Sequence, residues 1–227
     1  MKKLLNYFTI AEKVLFLLSV TLIISSFCIF DRENYLNLFS SLIGVASLIF
    51  SAKGNPVGPL LMIFFGLLYG VISYSFSYYG EMITYMGMSV PMAVFAFISW
   101  IKNPYKGNKS QVTVNTINKK DILIVTITTV LVTAAFYYIL EYFNTASLIL
   151  STVSVTTSFT AVCLTYLRSP YYAIAYALND IVLILLWVIA SIYDTKYICV
   201  VVCFIAFLFN DIYGFINWRK LQKNQKT

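Results

Sequence analysis

Two carboxylates lie deep within apolar stretches of this sequence, where a bilayer normally excludes them. Asp180 stands in "ALNDIVL" and Asp211 in "LFNDIYG", so each acid follows an asparagine. A charged side chain at the centre of a membrane costs roughly 3 kcal/mol, and such residues usually pair or serve a function. We therefore expect either a clamp of interhelical hydrogen bonds, formed by Asn179, Asp180, Asn210 and Asp211, or a ligand or ion site built on them.

Aromatic side chains accompany both acids. Tyr172, Tyr176 and Asp180 recur at i, i+4 and i+8, which places them on one face of a helix. No Lys or Arg lies in these stretches to neutralise the acids, and a carboxylate beside aromatic rings suits a flat cationic ligand. The candidate substrate-binding residues are Tyr176, Asn179, Asp180, Asn210, Asp211 and Tyr213.

Two further features bear on a path through the membrane. The stretch "STVSVTTSFT" at 151–160 is rich in hydroxyl groups, which favours either close helix packing or pore lining. Pro91 interrupts a long apolar run and frees a backbone carbonyl, so we expect a kink or a hinge there.

Catalytic and metal chemistry find little support in this sequence. It contains no His, the commonest proton shuttle and metal ligand, so a Ser-His-Asp or Cys-His hydrolase is excluded. The segment "GNKS" at 107–110 lacks the Gly-Lys-Ser/Thr of a nucleotide-binding loop. We accordingly expect no enzyme, no cofactor and no metal site.

The elements that must position the acids are membrane-spanning helices. Of 227 residues, 60% are apolar and 11% are charged, against about a quarter charged in an average soluble domain. Each apolar run is about long enough to cross a bilayer. The predicted fold class is an all-α polytopic membrane protein with about eight transmembrane helices. The runs lie at about 14–30, 36–52, 57–79, 82–100, 122–141, 148–167, 171–193 and 197–217.

The distribution of positive charge predicts the orientation of the chain. With the N-terminus inside, 14 of the 16 Lys and Arg fall in cytoplasmic segments, as the positive-inside rule requires. The net charge of +7 is thus a topology signal rather than a nucleic-acid footprint. We expect both termini in the cytoplasm and no nucleic-acid partner. The first run could instead be a signal peptide, but no small-residue cleavage site follows it, which favours retention.

The chain also shows a weak internal repeat. Pro56 corresponds to Pro170 at an offset of about 114 residues, and "FISWIK" at 97–102 corresponds to "FINWRK" at 215–220. The matched Trp residues could alternatively belong to an interfacial aromatic belt. A three-plus-one-plus-three plan gives two parallel repeats with a central path between them. The predicted division is residues 1–35 with an extra helix, 36–101 as the first repeat, 102–147 as a basic cytoplasmic linker and linking helix, and 148–227 as the second repeat with a basic tail.

Residues 36–220 resemble the PnuC family of bacterial vitamin transporters. The specific parts are "FGLLYGVISYSFSYYGE" and the terminal "YGFINW". The family's Trp-x-x-Trp-x-x-x-Asn/Asp signature corresponds here to Ala173, Tyr176 and Asp180, and its Pro-Met-Gln to 91–93, where Ala93 replaces Gln. The resemblance therefore carries over only Tyr176 and Asp180 as binding positions.

The resemblance implies a SWEET-like fold and a transporter of nicotinamide riboside, thiamine or another vitamin or nucleoside. It also implies facilitated diffusion across a bacterial inner membrane and trapping by a cytoplasmic kinase. Two alternatives stay open: proton-coupled transport through Asp180 or Asp211, and a non-transporting scaffold or sensor. Assembly of the chain into a homo-oligomer is also left open.

Overall fold

The part of the chain that the structure describes folds into a bundle of eight long helices. The computed structural model describes residues 7–75, 79–145 and 147–226, and Lys2 and Lys3 of the basic N-terminus lie outside them. All eight helices are long and apolar enough to cross a membrane, which confirms the predicted spans. They are α1 Ile10–Phe30, α2 Tyr35–Ala52, α3 Val57–Ser75, α4 Tyr79–Lys102, α5 Lys119–Tyr142, α6 Leu148–Tyr166, α7 Tyr172–Ser191 and α8 Ile198–Lys226.

Local sequence signals fix where α1 and α5 begin. Thr9 and Glu12 form a capping box before α1, and Asn118 and Asp121 form a second one before α5. In each case a side-chain oxygen accepts from a backbone N–H that has no partner within the helix. These caps set the first residue of α1 at Ile10 and that of α5 at Lys119.

Helix α4 changes its backbone spacing just before Pro91. It is α-helical over Tyr79–Ile83, π-helical over Thr84–Ser89 and α-helical again over Val90–Lys102. The N–H of Val90 donates to the carbonyl of Tyr85, five residues back. Proline has no N–H to continue the ladder, and single π-turns commonly mark functional sites in helices. The expected irregularity at Pro91 is thus present, and it lies in the middle of the bundle.

Two triplets of helices enclose the centre of the bundle. Within the first triplet α2 packs on α3 and α3 on α4, and within the second α6 packs on α7 and α7 on α8. Across the triplets α2 packs on α8, and α6 on α4. The remaining helices are peripheral, with α5 against α6 and α1 against α2 and α8. This pairing is compatible with two parallel repeats, a relationship that stays a prediction.

The basic interval between the triplets is folded rather than loose. It contains a two-stranded antiparallel hairpin, β1 Pro104–Tyr105 and β2 Asn108–Val112, which the sequence did not lead us to expect. Lys106 and Gly107 at its tip have φ angles of 48° and 78°, as the favoured two-residue hairpin turn requires. Val112 is fully buried and its N–H donates to Gly54 at 2.8 Å, so the hairpin is attached to the α2–α3 connection.

The two ends of the bundle differ in charge. The basic end comprises the connections 53–56, 103–118 and 167–171, the adjoining ends of α4 and α5, and the C-terminal part of α8, and it holds most of the Lys and Arg. The opposite end comprises the connections 31–34, 143–147 and 192–197. Hydrogen bonds from Val112 to Gly54 and from Asn115 to Arg168 place three of the basic connections on one side.

Candidate functional site

A small cavity lies at the centre of the bundle, between the two helix triplets. Its volume is about 50 Å³, and its lining comes from α2, α3, α4, α6, α7 and α8. Four of the predicted site residues line it, namely Tyr176, Asn179, Asp180 and Asp211. The other lining residues are Leu48, Met62, Phe65, Gly66, Thr84, Tyr85, Ser89, Ser154, Ser158, Val162, Phe204 and Phe207.

Asp180 and Asp211 meet across this cavity. They lie on the antiparallel neighbours α7 and α8, are 3% and 4% exposed, and their carboxyl groups hydrogen-bond to each other. Such a bond requires a proton on one of the two carboxyls, so the pair holds one negative charge when the other is ionised. Asp180 Oδ2 has no hydrogen-bond partner among the described residues. One buried acceptor of the pair is therefore left without a donor.

Asn179 holds the pair against α6. Its Oδ1 accepts from the hydroxyl of Thr157 at 2.9 Å and from that of Ser154 at 3.3 Å. Ser154 and Ser158 also line the cavity, whereas Thr156 and Thr160 contact Thr133 and Thr129 on α5 at 3.0 Å and 3.4 Å. The hydroxyl-rich stretch of α6 thus lines the cavity on one face and packs against α5 on another.

Aromatic rings surround the acids on the remaining sides. Tyr176 of α7 and Tyr85 of α4 line the cavity with Phe65, Phe204 and Phe207. The sequence did not single out Tyr85 or Phe65, because neither lies close to Asp180 or Asp211 along the chain. The one related signal in the sequence was Pro91, which predicted an irregularity in this helix. It did not indicate that the irregularity would turn Tyr85 toward the cavity.

Asn210 and Tyr213 do not reach the cavity. Asn210 Nδ2 donates to Ser19 Oγ at 2.9 Å, and the Tyr213 hydroxyl donates to Glu12 Oε1 at 3.2 Å. Both partners lie on α1. Successive helical residues point about 100° apart, so residues 210 and 213 face away from Asp211. The structure therefore gives these two predicted site residues contacts that attach the extra N-terminal helix to the core.

Glu12 strengthens this attachment. It is almost fully buried and forms a salt bridge with Lys53 at 3.2 Å, while also accepting from Tyr213. A charge pair removed from solvent depends on having all its partners. Helix α1 is thus fastened to the end of α2 and to α8 by one shared carboxylate.

We expect Tyr213→Phe to loosen α1 without affecting the cavity. Loss of one hydrogen bond to a charged group lowers the free energy of unfolding by about 1.5–3 kcal/mol. The half-saturation concentration for any transported ligand should stay within twofold of wild type. Thermal unfolding in detergent and uptake kinetics measure the two effects. An affinity change without a stability change would instead place Tyr213 at the ligand.

The cavity is closed toward the basic end by two tryptophans. Trp100 and Trp218 are fully buried with ring centroids 5.2 Å apart, and Tyr172 packs 5.0 Å from Trp218. Trp100 Nε1 donates to the carbonyl of Thr165 at 2.9 Å, and Trp218 Nε1 to that of Ser51 at 2.7 Å. Because neither indole is exposed, an interfacial aromatic belt does not describe these two residues.

The geometry favours binding of a flat organic cation, with an acid pair below it and aromatic rings around it. Carboxylates attract the charge and ring faces stabilise it further. A cavity of about 50 Å³ holds little more than one water molecule by volume, so any such ligand requires the two triplets to separate. Among the described residues, His, Cys, Asp and Glu form no group of three that could hold a metal ion.

Comparison with known proteins gives one consistent family. The sequence model described as nicotinamide mononucleotide transporter matches residues 34–220. The nicotinamide riboside transporter PnuC of Neisseria mucosa is 26% identical over 199 residues, which cover 86% of this chain and 76% of that protein. The crystal structure of the vitamin B3 transporter PnuC superposes with a TM-score of 0.83 at 25% identity, covering 96% of this chain and 94% of that one.

Proposed function

We propose, since this chain belongs to the nicotinamide mononucleotide transporter family, that it carries nicotinamide riboside across a bacterial inner membrane. Membership makes the chain a membrane transporter rather than an enzyme. The observation that supports the substrate is the buried Asp180–Asp211 pair beside Tyr176 and Tyr85. The Neisseria mucosa relative is a nicotinamide riboside transporter, and the pyridinium ring of nicotinamide riboside is flat and permanently positive. Charge and shape therefore match the lining of the cavity.

Transport proceeds by alternating access in this proposal. The two helix triplets, treated as parallel repeats, rock about the central cavity and open it to one side at a time. The small volume of the cavity supports this, since nicotinamide riboside is too large to enter it without such movement. The π-helical segment of α4 lies on the lining and is the natural place for the backbone to yield.

The basic end faces the cytoplasm in this proposal, with both termini inside. The support is the positive charge of the hairpin, the short connections and the tail of α8. Facilitated diffusion alone only equilibrates the substrate, so phosphorylation by a cytoplasmic kinase retains it inside. Trapping by phosphorylation requires neither direct contact between the transporter and the kinase nor assembly of the transporter into a homo-oligomer.

Uptake of labelled nicotinamide riboside into proteoliposomes tests the proposal. We expect saturable uptake that equilibrates without ATP and is accelerated by unlabelled nicotinamide riboside inside. Thiamine and uncharged nucleosides serve as competitors, and selective inhibition by thiamine would move the proposal to that vitamin. If no vitamin supports uptake or shifts thermal unfolding, the chain is a scaffold or sensor instead.

Proton coupling is a second candidate, which the carboxyl pair itself favours. Two hydrogen-bonded carboxyls share a proton that a cationic substrate could displace. Under coupling, uptake depends on an imposed proton gradient, and an ionophore that collapses the gradient slows it. Uptake that is unaffected by the ionophore excludes proton coupling and supports facilitated diffusion.

A further inference from the structure

A second cavity lies at the end of the bundle opposite the basic connections. Its volume is about 240 Å³, roughly eight times the share of one water molecule in the liquid and much larger than the central cavity. Polar side chains line one wall, from Glu81 on α4 and from Thr145, Ser147 and Ser151 around the start of α6. Tyr193 stands at its mouth and is 87% exposed.

Glu81 is the acid of this cavity. It is only 3% exposed, and its Oε2 has no hydrogen-bond partner among the described residues. The hydroxyl of Thr145 is likewise buried and lacks a partner there. The described lining contains no Lys or Arg. Buried polar atoms without partners are costly, so two of them on lining residues of one cavity indicate a ligand that completes their hydrogen bonds.

The second cavity lies directly in line with the central one along two helices. On α4, Glu81 precedes Thr84 and Tyr85 of the central cavity by three and four residues. On α6, Ser151 precedes Ser154 and Ser158 by three and seven residues. Residues at these spacings share a helix face, and one turn advances about 5 Å. Continuous polar stripes on α4 and α6 therefore join the two cavities.

We propose that this second cavity is a capture site for the cationic substrate on the side opposite the basic end. Glu81 supplies the negative charge, Thr145 binds a substrate hydroxyl, and the Tyr193 ring covers the mouth. The ligand class is a flat aromatic cation that carries sugar hydroxyls. The site rests on the proposed function, because its ligand is the substrate on its way to Asp180 and Asp211.

The test is uptake of labelled nicotinamide riboside from the medium by cells that depend on this protein for it. We expect Glu81→Gln to raise the half-saturation concentration about tenfold, while the maximal rate changes less than twofold. Glu141→Gln removes an equal charge from an exposed position near the same end of the bundle, and its kinetics should match wild type. An unchanged half-saturation concentration for Glu81→Gln overturns the capture site, as does a fall in maximal rate alone.

A second pair of variants decides the matter if Glu81→Gln does not fold. Tyr193→Lys and Tyr193→Gln both remove the exposed ring, but only the first adds a positive charge at the mouth. The Lys variant should show a half-saturation concentration several-fold above that of the Gln variant, and equal values overturn the site. A wild-type protein that moves no nicotinamide riboside overturns the proposed function and the capture site together. Normal wild-type uptake with unaffected variants overturns the capture site alone.

Discussion

Replacing both Asp180 and Asp211 by Asn should reduce uptake of nicotinamide riboside by at least about 100-fold, whereas either single replacement should reduce it only about tenfold. The difference follows from the hydrogen bond between the two carboxyls. With one shared proton the pair carries a single negative charge. An Asn at either position can donate its amide to the remaining carboxylate, so each single variant keeps that charge in a changed position.

The double variant has no charge left in the central cavity. A hydrogen bond or contact to a charged group contributes about 1.5–3 kcal/mol, and each 1.4 kcal/mol corresponds to a tenfold change in binding. Loss of the only carboxylates among the described lining residues therefore removes most of the affinity for a cation. The remaining aromatic rings still accept a ligand of the same shape that lacks the charge.

Uptake kinetics and direct binding of nicotinamide riboside measure the effect. Thermal unfolding provides the control for folding, and we expect little loss, because Asn has the size and shape of Asp and its amide both donates and accepts hydrogen bonds. Glu141→Gln controls for removal of an acid elsewhere in the chain. A single Asp180→Asn variant as inactive as the double variant would contradict charge sharing and assign the charge to Asp180 alone.

Much of the fold follows from hydrophobicity and charge, which act along the chain and need no three-dimensional information. The eight apolar runs became eight helices, and the irregularity at Pro91 followed from its missing N–H. The hairpin at Pro104–Val112 was not predicted, because its strands are two and five residues long. Its stability comes from burying Val112 against distant residues, which a local pattern does not reveal.

The candidate site was only partly predictable, because the sequence does not show which face of a helix points toward the cavity. Asp180 and Asp211 were found because an acid in an apolar run is costly wherever it points. Their neighbours Asn179 and Asn210 look equivalent in the sequence, yet one lines the cavity and the other contacts α1. Helix α1 packs against the face of α8 that carries Asn210, and the sequence does not show where α1 packs. Glu81 escaped notice because it lies at the edge of a span, where an acid is unremarkable.

If the two triplets are repeats, as the sequence predicts, Trp100 and Trp218 occupy equivalent positions. Each indole donates to a carbonyl in the last turn of the first helix of the other triplet, Thr165 and Ser51 respectively. The residue before each Trp also donates a hydrogen bond to the other triplet, to the carbonyl that follows the one bound by the Trp. Ser99 Oγ donates to the carbonyl of Tyr166 at 2.8 Å, and Asn217 Nδ2 to that of Ala52 at 2.7 Å. The donors are 118 residues apart and the acceptors 114 apart, which are the offsets of the internal repeat.

Equivalent positions should give equivalent losses. We expect Trp100→Ala and Trp218→Ala each to lower the free energy of unfolding by about 3–5 kcal/mol, the usual cost of emptying a buried Trp site. The Phe variants keep a ring but lose the N–H donor, so they should lose about 1–3 kcal/mol through the unpaired carbonyl. Phe209→Ala, on the exposed face of α8, provides the matched control and should change stability little.

Denaturant unfolding in mild detergent, followed by Trp fluorescence and by circular dichroism, measures these losses. A large loss at one Trp with almost none at the other would show that only one triplet depends on the contact, contrary to a two-fold arrangement. Equal losses, with the Trp100→Ala/Trp218→Ala double variant costing less than the sum of the two, would show direct coupling of the stacked rings. That coupling would tie the basic ends of both triplets together, so the proposed opening of the central cavity toward the basic end would have to break the same contact.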